Sequence, residues 1–201
     1  MNGWDSFIVS PLDSRYNNTK KVGDVDLILN TEIFTHKNVS NNAIVVGLPK
    51  NKQTDIQIGD EVIIHHNVFR RWHDVRGVEQ NSKSFFTEDK YFVYDDQLYI
   101  YKHKDQWKSL DEYCFVKPIA NDDMFSLEKE KPLVGIVKYS NNVLNSIGVE
   151  AGDKVGFTPG SEFEFTIEDE LVYRVRTKSI TIKYEYEGEE REHNPSWVQS
   201  S

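Results

Sequence analysis

Cysteine occurs once in the 201 residues, at Cys114, which excludes an intrachain disulfide, a Cys-x-x-Cys zinc ribbon and an iron–sulfur centre. Flanked by Tyr113, Phe115 and Val116, that thiol reads as a buried small hydrophobe rather than a nucleophile. Positive charge is also scarce. The 24 Lys and Arg against 33 Asp and Glu leave a net charge of -9, which repels phosphate backbones and anionic lipid. No apolar run approaches the ~20 residues of a membrane span. The first ten residues have neither the basic start nor the long apolar centre of a secretory leader. These absences predict a soluble, cytoplasmic protein with no membrane contact. No nucleophile elbow, phosphate-cradling glycine loop or pair of catalytic carboxylates occurs in its required context, so neither an enzyme nor a cofactor is predicted. No window carries a sustained helical stripe, and 107–112 offers one helical turn at most.

What is present is a succession of short runs rich in Val, Ile, Phe and Tyr, bounded by Asn, Asp, Gly and Pro. They lie at 7–9, 43–46, 61–65, 91–94, 98–102, 113–116, 134–139, 154–157, 163–167, 171–175 and 180–186. This is the signature of an all-β fold. The runs at 163–167 and 180–186 alternate strictly, predicting one buried and one wet face. The chain also repeats itself in four ordered features. Phe7-Ile8-Val9-Ser10-Pro11-Leu12 returns as Cys114-Phe115-Val116-Lys117-Pro118-Ile119, and Asn42-Ala43-Ile44-Val45-Val46-Gly47 as Val134-Gly135-Ile136-Val137-Lys138-Tyr139. Gly59-Asp60-Glu61-Val62 corresponds to Gly152-Asp153-Lys154-Val155, and Tyr94-Asp95-Asp96-Gln97-Leu98 to Ile167-Glu168-Asp169-Glu170-Leu171. The expected units are 1–112 and 113–201. From Pro11 to Ile44 is 33 positions against 18 from Pro118 to Ile136, and from Asp60 to Asp95 is 35 against 15 from Asp153 to Glu168. The first unit therefore carries two extra loops, at about 13–30 and 66–90, and additions to a retained scaffold are where binding usually resides.

An opening strand, a long polar loop closing on an aliphatic triplet, and a strand pair around Gly59-Asp60-Glu61-Val62 resemble the GroES-type co-chaperonins, in particular the divergent phage-encoded ones. The duplication is similar to the tandem co-chaperonins of plastids. The resemblance implies two tandem small GroES-like (OB-like) β-barrels and a non-enzymatic co-chaperonin, a homo-oligomeric ring that caps a GroEL-type chaperonin while that partner holds ATP. It implies a mobile loop whose triplet Leu27, Ile28 and Leu29 docks on the chaperonin, and a location in the host cytoplasm if the chain is phage-encoded. The short 48–55 segment implies an open-topped ring. The second copy has no triplet before Val134, so the docking role stays with the first.

The residues read the same way without the family. The polar 13–26 stretch, with Gly23 and Lys20-Lys21, has the composition of a segment unable to hold fixed structure alone. Leu27-Ile28-Leu29 is either a buried strand or a docking segment, and its place in the repeat favours docking. Burying three aliphatic side chains yields roughly 5 to 8 kcal/mol, and ordering half a dozen residues costs about as much. One loop binds weakly, and several on a ring add through effective concentration. His65-His66 with His73 suggests a metal, but adjacent strand residues face opposite ways, so no metal site is predicted. Arg70-Arg71-Trp72 with Arg76 is the one basic, aromatic-flanked patch. Its brevity favours a solvated loop or subunit contact over an OB-like nucleic-acid surface. The acidic run 185–192 reads as a solvated C-terminal tail, with Asn194-Pro195-Ser196-Trp197 as a terminal clasp. A structural or virion-type assembly protein reusing paired barrels is the alternative to a co-chaperonin.

Overall fold

A computed structural model describes residues 2–16, 19–22, 25–28, 39–123, 127–196 and 198, the backbone alone at 19–22 and 25–28. Each apolar run found in the sequence overlaps a strand, those at 61–65, 91–94 and 180–186 outlasting theirs, and the chain divides into two units, Met1–Gln106 and Trp107–Ser201. In the first, β1 (Phe7–Pro11) is followed by a ribbon of β2 (Thr19–Val22) and β3 (Val25–Ile28), then β4 (Asn42–Gly47) and β5 (Glu61–Ile64). A second small ribbon, β6 (Arg71–His73) with β7 (Glu79–Asn81), precedes β8 (Phe85–Thr87), β9 (Lys90–Val93) and β10 (Leu98–His103), and β11 (Gln106–Ser109) begins at the boundary between the units. The second unit holds β12 (Tyr113–Ala120), β13 (Glu130–Tyr139), the short helix α1 (Asn142–Ser146), β14 (Lys154–Phe157), β15 (Phe163–Ile167), β16 (Glu170–Arg176) and β17 (Ile180–Lys183).

The two main sheets share one plan. The first runs β11-β10-β5-β4-β1-β9-β8 and the second β17-β14-β13-β12-β16-β15, so that β11 apart, each strand has a counterpart at the same place and in the same chain order. Both sheets are antiparallel. Among the described residues neither closes on itself by hydrogen bonding. Register repeats as well. Ile8, Val9, Ser10 and Pro11 oppose Gly47, Val45, Ile44 and Ala43, while Phe115, Val116, Lys117 and Pro118 oppose Tyr139, Val137, Ile136 and Gly135. Each pair carries a bulge at the same step, with Val46 or Lys138 as the extra residue.

The corner between the second and third strands of each sheet explains why Gly-Asp occurs there twice. Gly59 at φ +98° and Gly152 at φ +96° occupy a backbone region that a side chain disfavours. The following carboxylates fold back as acceptors: Asp60 Oδ2 takes the Gln57 N–H at 2.8 Å and Asp153 Oδ2 the Glu150 N–H at 2.7 Å. The glycine N–H groups donate to Val45 and Val137 carbonyls at 2.8 and 2.7 Å, stitching each corner to the preceding strand. Inside the first sheet Val9, Val45, Ile64, Tyr91 and Ile100 are buried; inside the second, Cys114, Val116, Val137, Leu144, Val155 and Val175 form one cluster. Each such aliphatic side chain contributes roughly 1.5 to 3 kcal/mol when removed from water. Burial pushes the Cys114 thiol up to about 12, and it is inert filling.

Several expectations need correction. The acidic turn Glu168-Asp169, both residues at positive φ, joins β15 to β16; its counterpart is therefore Glu88-Asp89, between β8 and β9, and not Asp95-Asp96. Asp95-Asp96-Gln97 is a 3-10 turn after β9, matched by Thr177-Lys178-Ser179 after β16. Residues 106–109 are a strand, not a helical turn. The alternating runs β15 and β17 are the two edge strands of their sheet, so their apolar faces are only partly covered: Phe163 is 56% and Ile182 49% exposed.

The acidic run 185–192 is solvated only in part: Glu185 and 187–189 are exposed, whereas 190–192 are fastened to the sheet. Glu190 pairs with both Lys131 and Lys154, Glu192 with Lys117 at 2.9 Å, and Ala120 donates its N–H to the Arg191 carbonyl at 2.7 Å. The two lysine ammonium groups beside it hold the Glu190 carboxyl below the usual carboxylate range. Asn194 continues this seam, accepting the Leu171 N–H and donating to the Asp169 carbonyl. Trp197 lies outside the described residues.

The α1 end of the second sheet hangs on one buried amide. Asn141 Oδ1 caps the helix by accepting the Leu144 N–H at 2.9 Å, while its Nδ2 donates to the Tyr113 carbonyl at 2.6 Å and Thr177 Oγ1 at 2.7 Å. Loss of a cap together with orphaned buried partners predicts that Asn141→Ala destabilises the protein by about 2 to 4 kcal/mol. For a unit of this size that lowers the melting midpoint by roughly 10 to 20 °C. Differential scanning calorimetry checks it, and an unchanged midpoint contradicts the assignment.

Candidate functional site

The features that set the first unit apart from the second are its two loops, and the predicted docking segment lies in the first of them. Leaving β1, the chain makes the β2–β3 ribbon, in which Lys20 opposes Leu27 and Thr19 opposes Ile28, before rejoining the sheet at β4. Among the described residues the ribbon is a separate two-stranded sheet with no strand of the main sheet paired to it. Leu27 and Ile28 therefore sit on a hairpin outside the sheet, and Leu29 lies outside the described residues. A two-stranded ribbon with no further strand beside it is marginally stable in water.

The root of this loop is firmly built. Tyr16 bridges to Val39, both buried, and the Ser40 N–H donates to the Arg15 carbonyl at 3.0 Å. Ser14 Oγ donates to the Tyr16 carbonyl at 2.8 Å. Thus 14–16, expected to lack fixed structure, is anchored, because Tyr16 is an aromatic side chain with somewhere to be buried. That lone aromatic in a polar run is the signal in the sequence that marks the anchor.

The second loop is fastened to the same root. Arg15 Nη2 donates to the Phe69 carbonyl and to Asn81 Oδ1, both at 3.0 Å, with its guanidinium 5.1 Å from the Tyr91 ring centre. Burial lowers the Arg15 pKa, with the nearby Arg71 adding to the effect, and burial likewise raises that of the Tyr91 phenol. The Arg71 N–H donates to Tyr16 Oη at 2.7 Å, its guanidinium lies 5.0 Å over the Tyr16 ring, and Nη1 meets Glu79 Oε1 at 3.1 Å. Arg15 and Arg71 are thus rivets between the two additions. Asp74 closes the β6–β7 hairpin by accepting the Val78 and Arg76 N–H groups at 3.0 and 2.9 Å, bonds that hold its carboxyl below the ordinary range.

The Arg70-Arg71-Trp72 patch is therefore not one surface. Strand alternation sends Arg71 to the Tyr16 side, whereas Arg70 and Trp72 line a cavity with Asn67, Ser82, Lys83 and Ser84. His65 acts locally. Its Nδ1 accepts the Asn67 N–H at 3.0 Å and caps the turn His66–Val68, with the His66 ring 4.4 Å away. The second unit has a larger cavity of about 700 Å³, where the Tyr173 phenol donates to Glu130 Oε1 at 2.8 Å. Burial, then that bond and the carboxylates of Glu164 and Glu162, raises the phenol's pKa, so it stays neutral. No protein-family model matches this chain, and no curated protein matches it in sequence.

Removing one hydroxyl tests whether the two loops share a root. Tyr16→Phe leaves the part-buried Arg71 N–H without an acceptor, for an expected loss of about 1 to 2 kcal/mol. Amide exchange over 66–82 should quicken while that of β12 to β17 does not change. Unaltered exchange at 66–82 contradicts the coupling.

Proposed function

We propose that the chain is a non-enzymatic co-chaperonin, a homo-oligomeric ring of paired GroES-like barrel units that caps a GroEL-type chaperonin in the cytoplasm. The observation that carries this reading is the position of Leu27 and Ile28 on a separate ribbon, inserted between β1 and β4 and rooted at Arg15 and Tyr16. A docking segment needs an anchored base and a tip that is not committed to the parent sheet. The ribbon supplies the tip, and the buried Tyr16 with its Arg71 bond supplies the base. The sheet plan that occurs twice is consistent with paired barrel units. Among the described residues no ribbon lies between β12 and β13, so docking is proposed for the first unit alone.

Affinity in this scheme is modest per loop and large per ring. Three aliphatic side chains bury roughly 5 to 8 kcal/mol of transfer free energy, largely offset by the ordering of the loop. Multivalency then makes capping tight as an assembly, yet reversible once the partner's nucleotide state withdraws one face of the contact.

Co-sedimentation with an ATP-loaded GroEL-type chaperonin tests the proposal. The unaltered chain should co-sediment, and Leu27→Ser with Ile28→Ser should abolish binding while leaving the circular dichroism spectrum and melting midpoint unchanged. Failure of the unaltered chain to bind refutes the reading. Its stoichiometric recovery in a purified particle would instead favour an assembly protein.

A further inference from the structure

The cavity beside Trp72 is unlike anything else in this acidic chain. It measures about 520 Å³ and belongs wholly to the first unit's second addition and its flanks. That volume lies in the range of roughly 300 to 1,000 Å³ typical of small-ligand sites. Two cations, Arg70 and Lys83, line it and no carboxylate does. Among the described residues neither is engaged in an ion pair, and the buried Arg70 Nε has no hydrogen-bond partner. The Nε atoms of Arg15, Arg71 and Arg174 are buried without a hydrogen-bond partner as well, and Arg70 differs from them in lining this cavity, where an acceptor from outside can reach its guanidinium. In a chain of net charge -9, a cavity whose lining holds two cations outside any ion pair and no carboxylate is a local reversal of sign.

The rest of the lining is selective for more than charge. Trp72, 46% exposed, lines the cavity with Arg70 and offers an open indole surface there. The Gln97 amide already accepts the Tyr94 N–H through Oε1, which orients it and leaves its NH₂ as a donor. The exposed Asn67 amide offers both donor and acceptor. Ser82 donates its hydroxyl to the Val68 carbonyl at 2.6 Å, and the neighbouring Ser84 is buried. Bare phosphate would use the cations and leave the indole and amides idle. A ligand joining an anionic phosphate to a flat heteroaromatic ring uses all of them, through charge-assisted bonds, stacking and edge recognition.

We propose that this cavity binds a nucleotide unit, its phosphate between Arg70 and Lys83 and its base on the Trp72 indole. The unit comes from a free nucleotide or from a single strand, which share this chemistry. Arg71 takes no part, being committed to Tyr16 and Glu79.

The full chain, 15N-labelled at tryptophan, is titrated with adenosine monophosphate, with a single-stranded octanucleotide and with inorganic phosphate. The Trp72 indole N–H, identified by its loss in Trp72→Phe, should shift with the nucleotide or the octamer. Affinity should fall at least ~10-fold in the Arg70→Ala, Lys83→Ala variant, and weaken as salt rises. An octamer no tighter per nucleotide than the monophosphate assigns a free nucleotide, and a tighter octamer assigns a strand. A Trp72 signal unmoved by millimolar ligand overturns the proposal, as does inorganic phosphate that binds as well as the nucleotide. Should the double variant fold poorly, Lys83→Ala at the exposed position replaces it, and unchanged affinity there also overturns the proposal.

Discussion

An aspartate that folds back onto the amide three residues before it, with a left-handed glycine between them, sets the geometry of both halves of this protein. At Asp60 and at Asp153 the carboxylate, the glycine N–H and the preceding strand's carbonyl fix the angle and register at which the third strand returns to the second. Once that corner is made, Val62 or Val155 falls opposite Ala43 or Gly135, and the remaining strands add outward in one order. Each corner aspartate is itself held, by His103 Nδ1 at 2.9 Å in one unit and by Lys183 Nζ at 2.7 Å in the other. The outer strand thereby closes on the corner that positioned it.

On this repeated plan the first unit carries everything that distinguishes it. Its two additions are riveted together through Arg15, Tyr16 and Arg71, so the ribbon bearing Leu27 and Ile28 and the hairpin bearing Trp72 share one foundation. The second unit has instead been sealed by the chain's acidic end, whose Glu190 and Glu192 meet lysines of three different strands. The two additions thus belong to the first unit and the ion-paired seam to the second, and the proposed docking role for the first alone rests on that asymmetry.

Much of this is legible in the sequence, for physical reasons that also explain what is not. Hydrophobic alternation and β-branching mark each strand of the main sheets that has a packed face, β15 to the residue. β6 and β7 escape because Arg71, His73, Glu79 and Gln80 carry no apolar period, their ribbon being held by its turn and the Arg71–Glu79 ion pair, and β8 escapes because Phe85-Phe86-Thr87 is too short a run to stand out. β11 is obscured because the turn before it, Lys104-Asp105, takes left-handed φ without a glycine to announce it. Three of the four repeated features fall at equivalent registers. The fourth is mispaired in the sequence because Asp95-Asp96 and Glu88-Asp89 look alike as charge, and only hydrogen bonding separates a 3-10 turn from a hairpin. The fate of the acidic end depends on lysines 36 to 75 positions away in the chain, a distance over which composition has no reach. At the candidate site, the triplet's position is readable and its root is not, since Arg15 and Tyr16 acquire their meaning from residues 69, 71 and 81.

The claim at the centre is a division of labour: two stiff sheets, and a ribbon outside them that takes its final form on a partner. Amide hydrogen exchange of the whole chain, read over 19–28 with and without an ATP-loaded chaperonin, tests it most directly. The account predicts that these amides exchange orders of magnitude faster than those of β1 and β12 in the free protein and become protected when the chaperonin is added. Protection equal to that of β1 in the free chain, or no change on adding the partner, would contradict it.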